Sequence, residues 1–570
     1  MPRWYAGALV AALGLGLIGC EPKSTPAPPA EPNNPAPAAS DASEPWFEEL
    51  AEARELRFRH RSGADPSTQL YLPEIVCGGV GLLDYDGDGD LDVFLVQGGS
   101  LAQPDAAMET HRLFRNDGNA HFEDVTEASG VGVAGYGLGC AAADYDGDGD
   151  VDLYVTQAGP NVLLENRGDG TFRDATERAG VGDARLSASA AFLDYDRDGD
   201  LDLFVTNYVG WQREREIPCS SAQGLPDYCQ PNNYRAPERD TLYRNDGNGR
   251  FTDVTVAAGL SAASGNGLGV AVADFDDDGR LDIFVANDGT KNQHWFQTSP
   301  GQFEDRALLG GTAVNYAGKV EAGMGVAAVD IDHDERPDLL LSHLRNESNT
   351  LYLNRGTHYE DASDQLGLGA ASVPYTGFGL GFADFDLDTD LDLYVANGRV
   401  MQTSTTRSEA DPYAEANLAF EFDQGRFQPV APEGAIANPL VLTSRGAAFG
   451  DLDTDGRIDV VVVNRDGPVS LLINRAAPDR HWLLLDVRES NGSLARYAKI
   501  TVGTGKSRFT RTVDPHYSYL SSNDPRVHFG LGDRSEPVEV EVRWADGTRE
   551  RFGPLSVDTL HRIQRKKADG

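Results

Sequence analysis

The sequence predicts an all-β chain: a seven-bladed β-propeller built of four-stranded sheets, followed by a small β-rich C-terminal domain. Three observations carry that reading. One nine-residue aspartate motif recurs seven times, each copy sits in a unit that divides into four short strands, and the motif stops before a C-terminal stretch of different charge. A fixed internal repeat is a better guide to architecture than chain length, and four strands per unit repeated radially make a propeller blade.

The chain opens with what reads as a lipoprotein signal peptide, residues 1–20. Arg3 precedes an apolar segment from Tyr5 to Ile18, too short and wrongly flanked for a membrane span. Its ending, "LIGC", resembles the lipobox of bacterial lipoproteins, in which the residue matching Cys20 carries the lipid. By that resemblance Glu21 favours export beyond the inner membrane, to the outer membrane or cell surface. Residues 21–45 hold eight prolines and few apolar side chains, which suits an extended, unpacked tether. The expected protein is anchored in the cell envelope through its N-terminal lipid alone.

Residues 46–480 are the predicted propeller. The unit is clearest in residues 137–176: a Gly-rich apolar strand, the aspartate loop, "VDLYVTQ", "NVLLENRG" and, after a tight "GDG" turn, "TFRDAT". The segment Leu56–Gly63, "LRFRHRSG", is the expected strand that closes the ring against the last sheet.

The motif copies are "DYDGDGDLD" from Asp84, "DYDGDGDVD" from Asp144, "DYDRDGDLD" from Asp194, "DFDDDGRLD" from Asp274, "DIDHDERPD" from Asp330, "DFDLDTDLD" from Asp384 and "DLDTDGRID" from Asp451. Positions one, three, five and nine are Asp in all seven copies, and position six is Gly in five. Alternating oxygens around a sharp glycine turn are the geometry of a calcium loop, with a main-chain carbonyl expected at position seven. Position twelve, where an EF-hand needs Glu, is Leu or Val throughout, so a calcium loop within a β-hairpin replaces that reading.

The candidate ligands are therefore Asp84, Asp86, Asp88, Asp90 and Asp92; Asp144, Asp146, Asp148, Asp150 and Asp152; and Asp194, Asp196, Asp198, Asp200 and Asp202. In the later copies they are Asp274, Asp276, Asp278, Arg280 and Asp282; Asp330, Asp332, Asp334 and Asp338; Asp384, Asp386, Asp388, Asp390 and Asp392; and Asp451, Asp453, Asp455, Arg457 and Asp459. The two arginines enter through their carbonyls. Up to seven calcium ions are expected, with the fifth and sixth loops in doubt because Glu335 and Thr389 replace glycine and Pro337 crowds the fifth. Two carboxylates about 4 Å apart repel by roughly 1 kcal/mol even at the dielectric of water, so a bound cation should stabilise each loop. Seven equivalent copies argue against a catalytic carboxylate pair.

A net charge of -41 excludes nucleic acid and anionic membrane as partners of the bulk of the chain and favours cations. The runs "GYGLG" at Gly135, "GNGLG" at Gly265 and "GFGLG" at Gly377 precede strands instead of opening helices. They signal close strand packing near an axis, not a dinucleotide site.

The aspartate loops, with "LFRNDGNAHFEDVT" at Leu113–Thr126 and "LYRNDGNGRFTDVT" at Leu242–Thr255, resemble the FG-GAP or VCBS repeats of integrin-like propellers. The closer resemblance is to the cartilage acidic protein-like group, in which such a propeller precedes an ASPIC/UnbV domain. Residues 481–567 fit that second part through "YLSSNDPRVHFGLGD" and the hairpin pattern "VEVEVRW", and they carry 15 Lys and Arg against 11 Asp and Glu. His516 and His528 lack the paired spacing of a metal site.

Long links after the second strand of a blade, at residues 98–111, 207–241 and 398–418, gather on the face opposite the aspartate loops, and such loops on a rigid scaffold are where binding resides. The insertion at 207–241 holds a candidate disulfide, Cys219 with Cys229, and the aromatics Tyr208, Trp211, Tyr228 and Tyr234. These either stack on a ligand or pack the insertion's own core. Cys77 and Cys140 read as buried free thiols. The expected function is a monomeric, calcium-binding extracytoplasmic lipoprotein that holds a protein or glycan on this opposite face. The alternative is a carbohydrate-active enzyme or its accessory factor.

Overall fold

The computed structural model describes residues 45–103, 109–402, 411–504 and 507–567. Cys20 and almost all of the proline-rich segment lie outside the described residues. Among the described residues the chain forms seven antiparallel four-stranded sheets before residue 480. Sheet two shows the plan: Gly137–Ala143, Asp152–Gln157, Val162–Asn166 and Phe172–Asp174, paired in chain order. The first strands touch in cyclic order, from Val80–Leu83 through each sheet to Ser444–Gly450 and back. Most of these strands are buried along their length and built largely of small and apolar residues, because other sheets and the axis cover both faces, while Val326–Val329 is partly exposed at its end. Large side chains from neighbouring sheets then fill the wedges between them, as Phe192, Tyr154 and Leu163 do between sheets two and three.

Leu56–Gly63 does meet the last sheet, where Arg59 bridges to Pro468 and the Val469 N–H donates to Phe58 O and the His60 N–H to Gly467 O, both at 3.0 Å, but it is not the strand that completes that sheet. Phe47–Glu49 supplies the fourth strand of the seventh sheet, with Phe47 opposite Asn474 and Glu49 opposite Leu472. Aromatic anchoring decides the choice. Trp46 and Phe47 sit 5.9 and 5.3 Å from the Phe385 ring, whereas Arg57, Arg59 and Arg61 leave the other segment only one apolar face. Leu56–Gly63 runs past the join instead, where the Gly99 N–H donates to Arg61 O at 2.8 Å.

The C-terminal module packs a three-stranded sheet around His481–Arg488 against a four-stranded sheet that includes Lys499–Thr504 and Val538–Arg543. Trp544, Phe529, Leu483 and Val540 fill its core. It lies on the aspartate-loop face. Arg543 Nη1 is 2.6 Å from Asp277 Oδ1, Lys499 Nζ donates to Glu335 O at 3.2 Å, and the Gly532 N–H donates to Leu387 O at 2.9 Å. The charge excess of this module thus meets the propeller's own acidic loops.

Between Thr512 and Val527 the module sends a finger, residues 517–524, down the axis of the ring. Its backbone pairs with the first strands: Ser522 N–H to Val80 O at 3.0 Å, Cys140 N–H to Leu520 O at 3.2 Å, Ser518 N–H to Val326 O at 2.9 Å and Asp524 N–H to Phe449 O at 3.0 Å. At the far end the Tyr519 hydroxyl donates to Val76 O at 2.7 Å. The glycines serve this finger and the close approach of neighbouring first strands, since a Cβ on Gly269 would lie 2.3 Å from Met324 O and one on Gly379 2.6 Å from the Ala447 nitrogen. A Cβ on Gly79 would lie 2.3 Å from Leu520 O, and one on Gly139 would lie 2.9 Å from Leu520 Cβ.

Candidate metal centres

Each aspartate loop leaves the first strand and returns into the second, so position nine is already the first residue of a strand. In loop one Asp92 Oδ2 accepts the Tyr85 N–H at 3.0 Å and Oδ1 the Asn116 N–H at 2.9 Å, which fixes the carboxylate at the base. Asp84 closes the turn by accepting from Gly87 and Gly89 at 2.9 and 3.1 Å. Positions four and six are left-handed in all seven loops, φ running from 55° at Asp277 to 75° at Gly87 and from 68° at Glu335 to 101° at Gly149. Glycine at position six is thus a conformational requirement that Glu335 and Thr389 meet under strain.

That turn brings positions one, three and nine together. Asp84, Asp86 and Asp92 each offer an oxygen within 4.8 Å of the others, as do Asp144, Asp146 and Asp152; Asp194, Asp196 and Asp202; Asp274, Asp276 and Asp282; and Asp330, Asp332 and Asp338. Seven such groups of acidic or other ligating side chains occur among the described residues. Position five does not join the triad. Asp88 Oδ1 instead accepts the Asp90 N–H at 3.0 Å, and in three later loops Arg280, Arg336 and Arg457 fold back onto Asp278, Asp334 and Asp455.

The residues fit a hard cation. Asp194 Oδ1, Asp196 Oδ1, Asp274 Oδ1 and Asp453 Oδ1 are buried with no hydrogen-bond donor, an unfavourable state for a carboxylate that is not ligating an ion. Burial, with neighbouring carboxylates adding to it, pushes Asp92, Asp152, Asp202 and Asp282 up to about 8 and Asp338 to about 7. Burial, with the neighbouring carboxylates, likewise raises Asp392 and Asp459 well above the ordinary carboxylate range. An all-oxygen set of carboxylates is the donor chemistry of calcium.

Sequence comparison follows this geometry. A family profile described as "FG-GAP-like repeat" matches residues 84–155, 144–205, 224–285, 274–341 and 330–395, together more than half of the chain. The chain belongs to the FG-GAP-like repeat family. A second profile, "ASPIC and UnbV", matches residues 488–570 and includes the axial finger. Human cartilage acidic protein 1 is 29% identical over 306 residues, 52% of this chain and 43% of that protein, and the mouse protein is 28% identical over 306 residues. The chain therefore aligns with less than half the length of these relatives. Among solved structures, YCF48 bound to D1 peptide superposes with a TM-score of 0.40 at 9% identity, covering 73% of this chain and 98% of that one. An Agrocybe aegerita lectin recognising non-reducing terminal N-acetylglucosamine gives 0.36 at 14%, covering 69% and 86%.

In this FG-GAP-like ring a further residue acts on the loops that motif reading passed over. The asparagine that ends the third strand reaches across sheets: Asn166 Nδ2 donates to Tyr85 O at 2.8 Å, Asn245 to Tyr145 O at 2.9 Å, Asn354 to Phe275 O at 2.8 Å and Asn474 to Phe385 O at 2.8 Å. Gln297 does the same to Tyr195 O at 3.0 Å and Asn116 to Leu452 O at 2.8 Å, whereas sheet six has Phe422 at this position. The recurrence of the asparagine in "LFRNDG" and "LYRNDG" was the available signal.

The opposite face corrects one expectation. The Cys219–Cys229 disulfide forms, and Cys77 and Cys140 are buried free thiols. The four aromatics of the insertion, however, are not an exposed stacking platform. Tyr208 and Tyr228 are buried in a cluster with Leu72, Ile75 and Phe378, and Trp211 and Tyr234 pack partly buried against it. They join the axial cluster of the ring with Leu268, Met324, Phe378 and Tyr519, so Tyr208 and Tyr228 anchor the insertion to the ring instead of building a separate core. The Trp211 indole N–H and the Tyr234 hydroxyl both donate to Glu216, while the Arg465 guanidinium donates to the Tyr228 hydroxyl at 2.8 Å.

Proposed function

We propose that this FG-GAP-like protein is a calcium-stabilised binding module of the cell envelope, exported and held to a membrane by lipid on Cys20. It takes a protein or glycan ligand on the face opposite the aspartate loops. The observation that carries the calcium reading is the repeated Asp triad with buried, donor-less oxygens. Repetition supports binding over turnover, since a reaction needs one differentiated site and the ring holds near-identical ones. The C-terminal module already lies on the loop face, which leaves the insertion face for a partner.

The loops should not be equal. Arginines engage position three in loops five to seven: Arg355 on Asp332 at 2.7 Å, Arg480 on Asp386 at 3.2 Å and Arg475 on Asp453 at 3.0 Å. Among the described residues Asp86, Asp146, Asp196 and Asp276 have no such partner, so the first four loops carry the tighter sites. A calcium titration by calorimetry on metal-stripped protein tests this. Two affinity classes are expected, the tighter with about four ions, and a single weak class would contradict the reading. Screening glycan and peptide arrays with the calcium-loaded protein tests the binding role. Hits lost on changing insertion-face residues support it, and turnover of a bound ligand abolished by an acidic residue outside the loops would replace it with an enzyme.

A further inference from the structure

On the insertion face, where the axis emerges, a pocket of about 180 Å³ opens between the ends of the second strands and the segment Leu72–Val76. Its walls include Tyr208, Tyr228, Phe378, Met324 and Leu268, and its rim Gln230, Asn232 and Met401. Two carboxylates, Asp288 and Glu347, line this otherwise apolar space. A few donors hold them in place. The Tyr208 hydroxyl is 2.5 Å from Asp288 Oδ2, and the Ala322 N–H is 3.0 Å from Glu347 Oε2.

Neither carboxylate meets an arginine or lysine within ion-pair distance among the described residues. The charge acting on Asp288 is that of Glu347 itself, and the basic neighbour of Glu347 is His343, which burial holds neutral by lowering it to about 4. Arg445, 3.9 Å from the Phe378 ring centroid, has its donors committed to the carbonyls of Ile75, Gly398 and Arg399. No arginine or lysine lines the pocket, although Arg445 and Arg465 lie over the Phe378 and Tyr228 rings from outside it, and its two acidic groups repel an anion and gain nothing from a neutral apolar guest. They complement a group with positive charge and an apolar stem.

We propose that this axial pocket binds an organic cation, an alkylammonium or guanidinium group, seated between Asp288 and Glu347 against the rings of Tyr208, Tyr228 and Phe378. The proposal deepens the assignment of the insertion face as the binding face and rests on it. The C-terminal module backs one wall without lining the pocket, since Tyr519 of the finger packs on Phe378 with ring centroids 4.9 Å apart.

The test is calorimetry on the calcium-loaded full chain with butylammonium, butylguanidinium and N-acetyl-lysine amide, and with butanol and butyrate as neutral and anionic controls. The cations are expected to bind about tenfold or more tighter than butanol, and Asp288→Asn and Glu347→Gln each to weaken them by about tenfold. The calcium-induced rise in melting temperature should survive in both variants, which shows that they fold. Preference for the lysine derivative over butylammonium assigns a peptide side chain as the source, and the reverse assigns a free amine. Equal binding of butanol, or no heat from any cation up to about 10 mM, overturns the proposal. If calcium still stabilises the protein in that case, this inference fails alone; if it does not, the calcium reading beneath it fails too.

Discussion

Asn166 Nδ2 donates a 2.8 Å hydrogen bond to the carbonyl of Tyr85, joining the third strand of sheet two to position two of the aspartate loop in sheet one. The same amide reaches Val151 O in its own loop at 3.2 Å, so one side chain ties two loops together. Repeated at six of the seven junctions, the contact makes those loops' geometry depend on their neighbours.

Asn245→Ala tests that dependence, since it strips the Tyr145 and Leu201 carbonyls of a buried donor. A loss of about 1–3 kcal/mol is expected by urea unfolding in calcium. Asn119→Ala, at an exposed turn position, should stay within about 0.5 kcal/mol.

Gly79→Ala tests the axial finger. The new methyl would lie 2.3 Å from Leu520 O and 2.7 Å from Gly139 Cα, both rigid backbone atoms. The expected cost is about 1–3 kcal/mol, with faster proteolysis between residues 513 and 526 as the finger is displaced. A stable variant with an unchanged cleavage pattern would show that the finger does not occupy the axis.

Thr389→Gly relieves a β-branched residue at φ 93° and should stabilise the protein by about 1 kcal/mol in thermal or urea unfolding. Gly279→Thr, at φ 84° in loop four, should cost a comparable amount.

The pH dependence should have two limbs. His111, His343 and His528 are held at about 4 and His60 also at about 4 by burial, below the unfolded value near 6.5. The unfolded chain therefore binds more protons between those values, and stability falls as pH drops from about 6.5 to about 4. The triad aspartates run the other way. Raised to about 8 in the folded, metal-free protein, Asp92, Asp152, Asp202 and Asp282 hold protons that the unfolded chain has lost. In chelator, stability should therefore also fall as pH rises from about 4 to about 8, and saturating calcium should remove this second limb. Melting curves from pH 4 to 9, with and without chelator, measure both.

The ring was legible because it repeats. Seven "DxD" loops and the strand pattern around them gave the sheets, the loop ends and the calcium-type turn, and position nine announced itself by opening each second strand. What stayed hidden depends on long-range contact. Nothing local in "YLSSND" says that it threads the axis some 440 residues from Val76, although Gly79 and Gly139 leave room for its Leu520. Leu56–Gly63 meets the last sheet as expected, but the strand that completes that sheet was missed because Phe47–Glu49 is three residues long and is held by aromatic packing on Phe385, not marked by alternation. The aromatics of the 207–241 insertion were equally suited by composition to a surface or a core, and only the packing against Leu72 and Ile75 decides for the core.

The central claim is that cations neutralise the aspartate triads and hold the ring together. A melting scan of the full chain at pH 7.5, first in chelator and then after calcium is restored in excess, tests it most directly. Each filled site adds about 2.7 kcal/mol at a hundredfold excess over its Kd, so several sites should raise Tm by about 10 °C or more, reversibly. The same Tm with and without calcium would contradict the account.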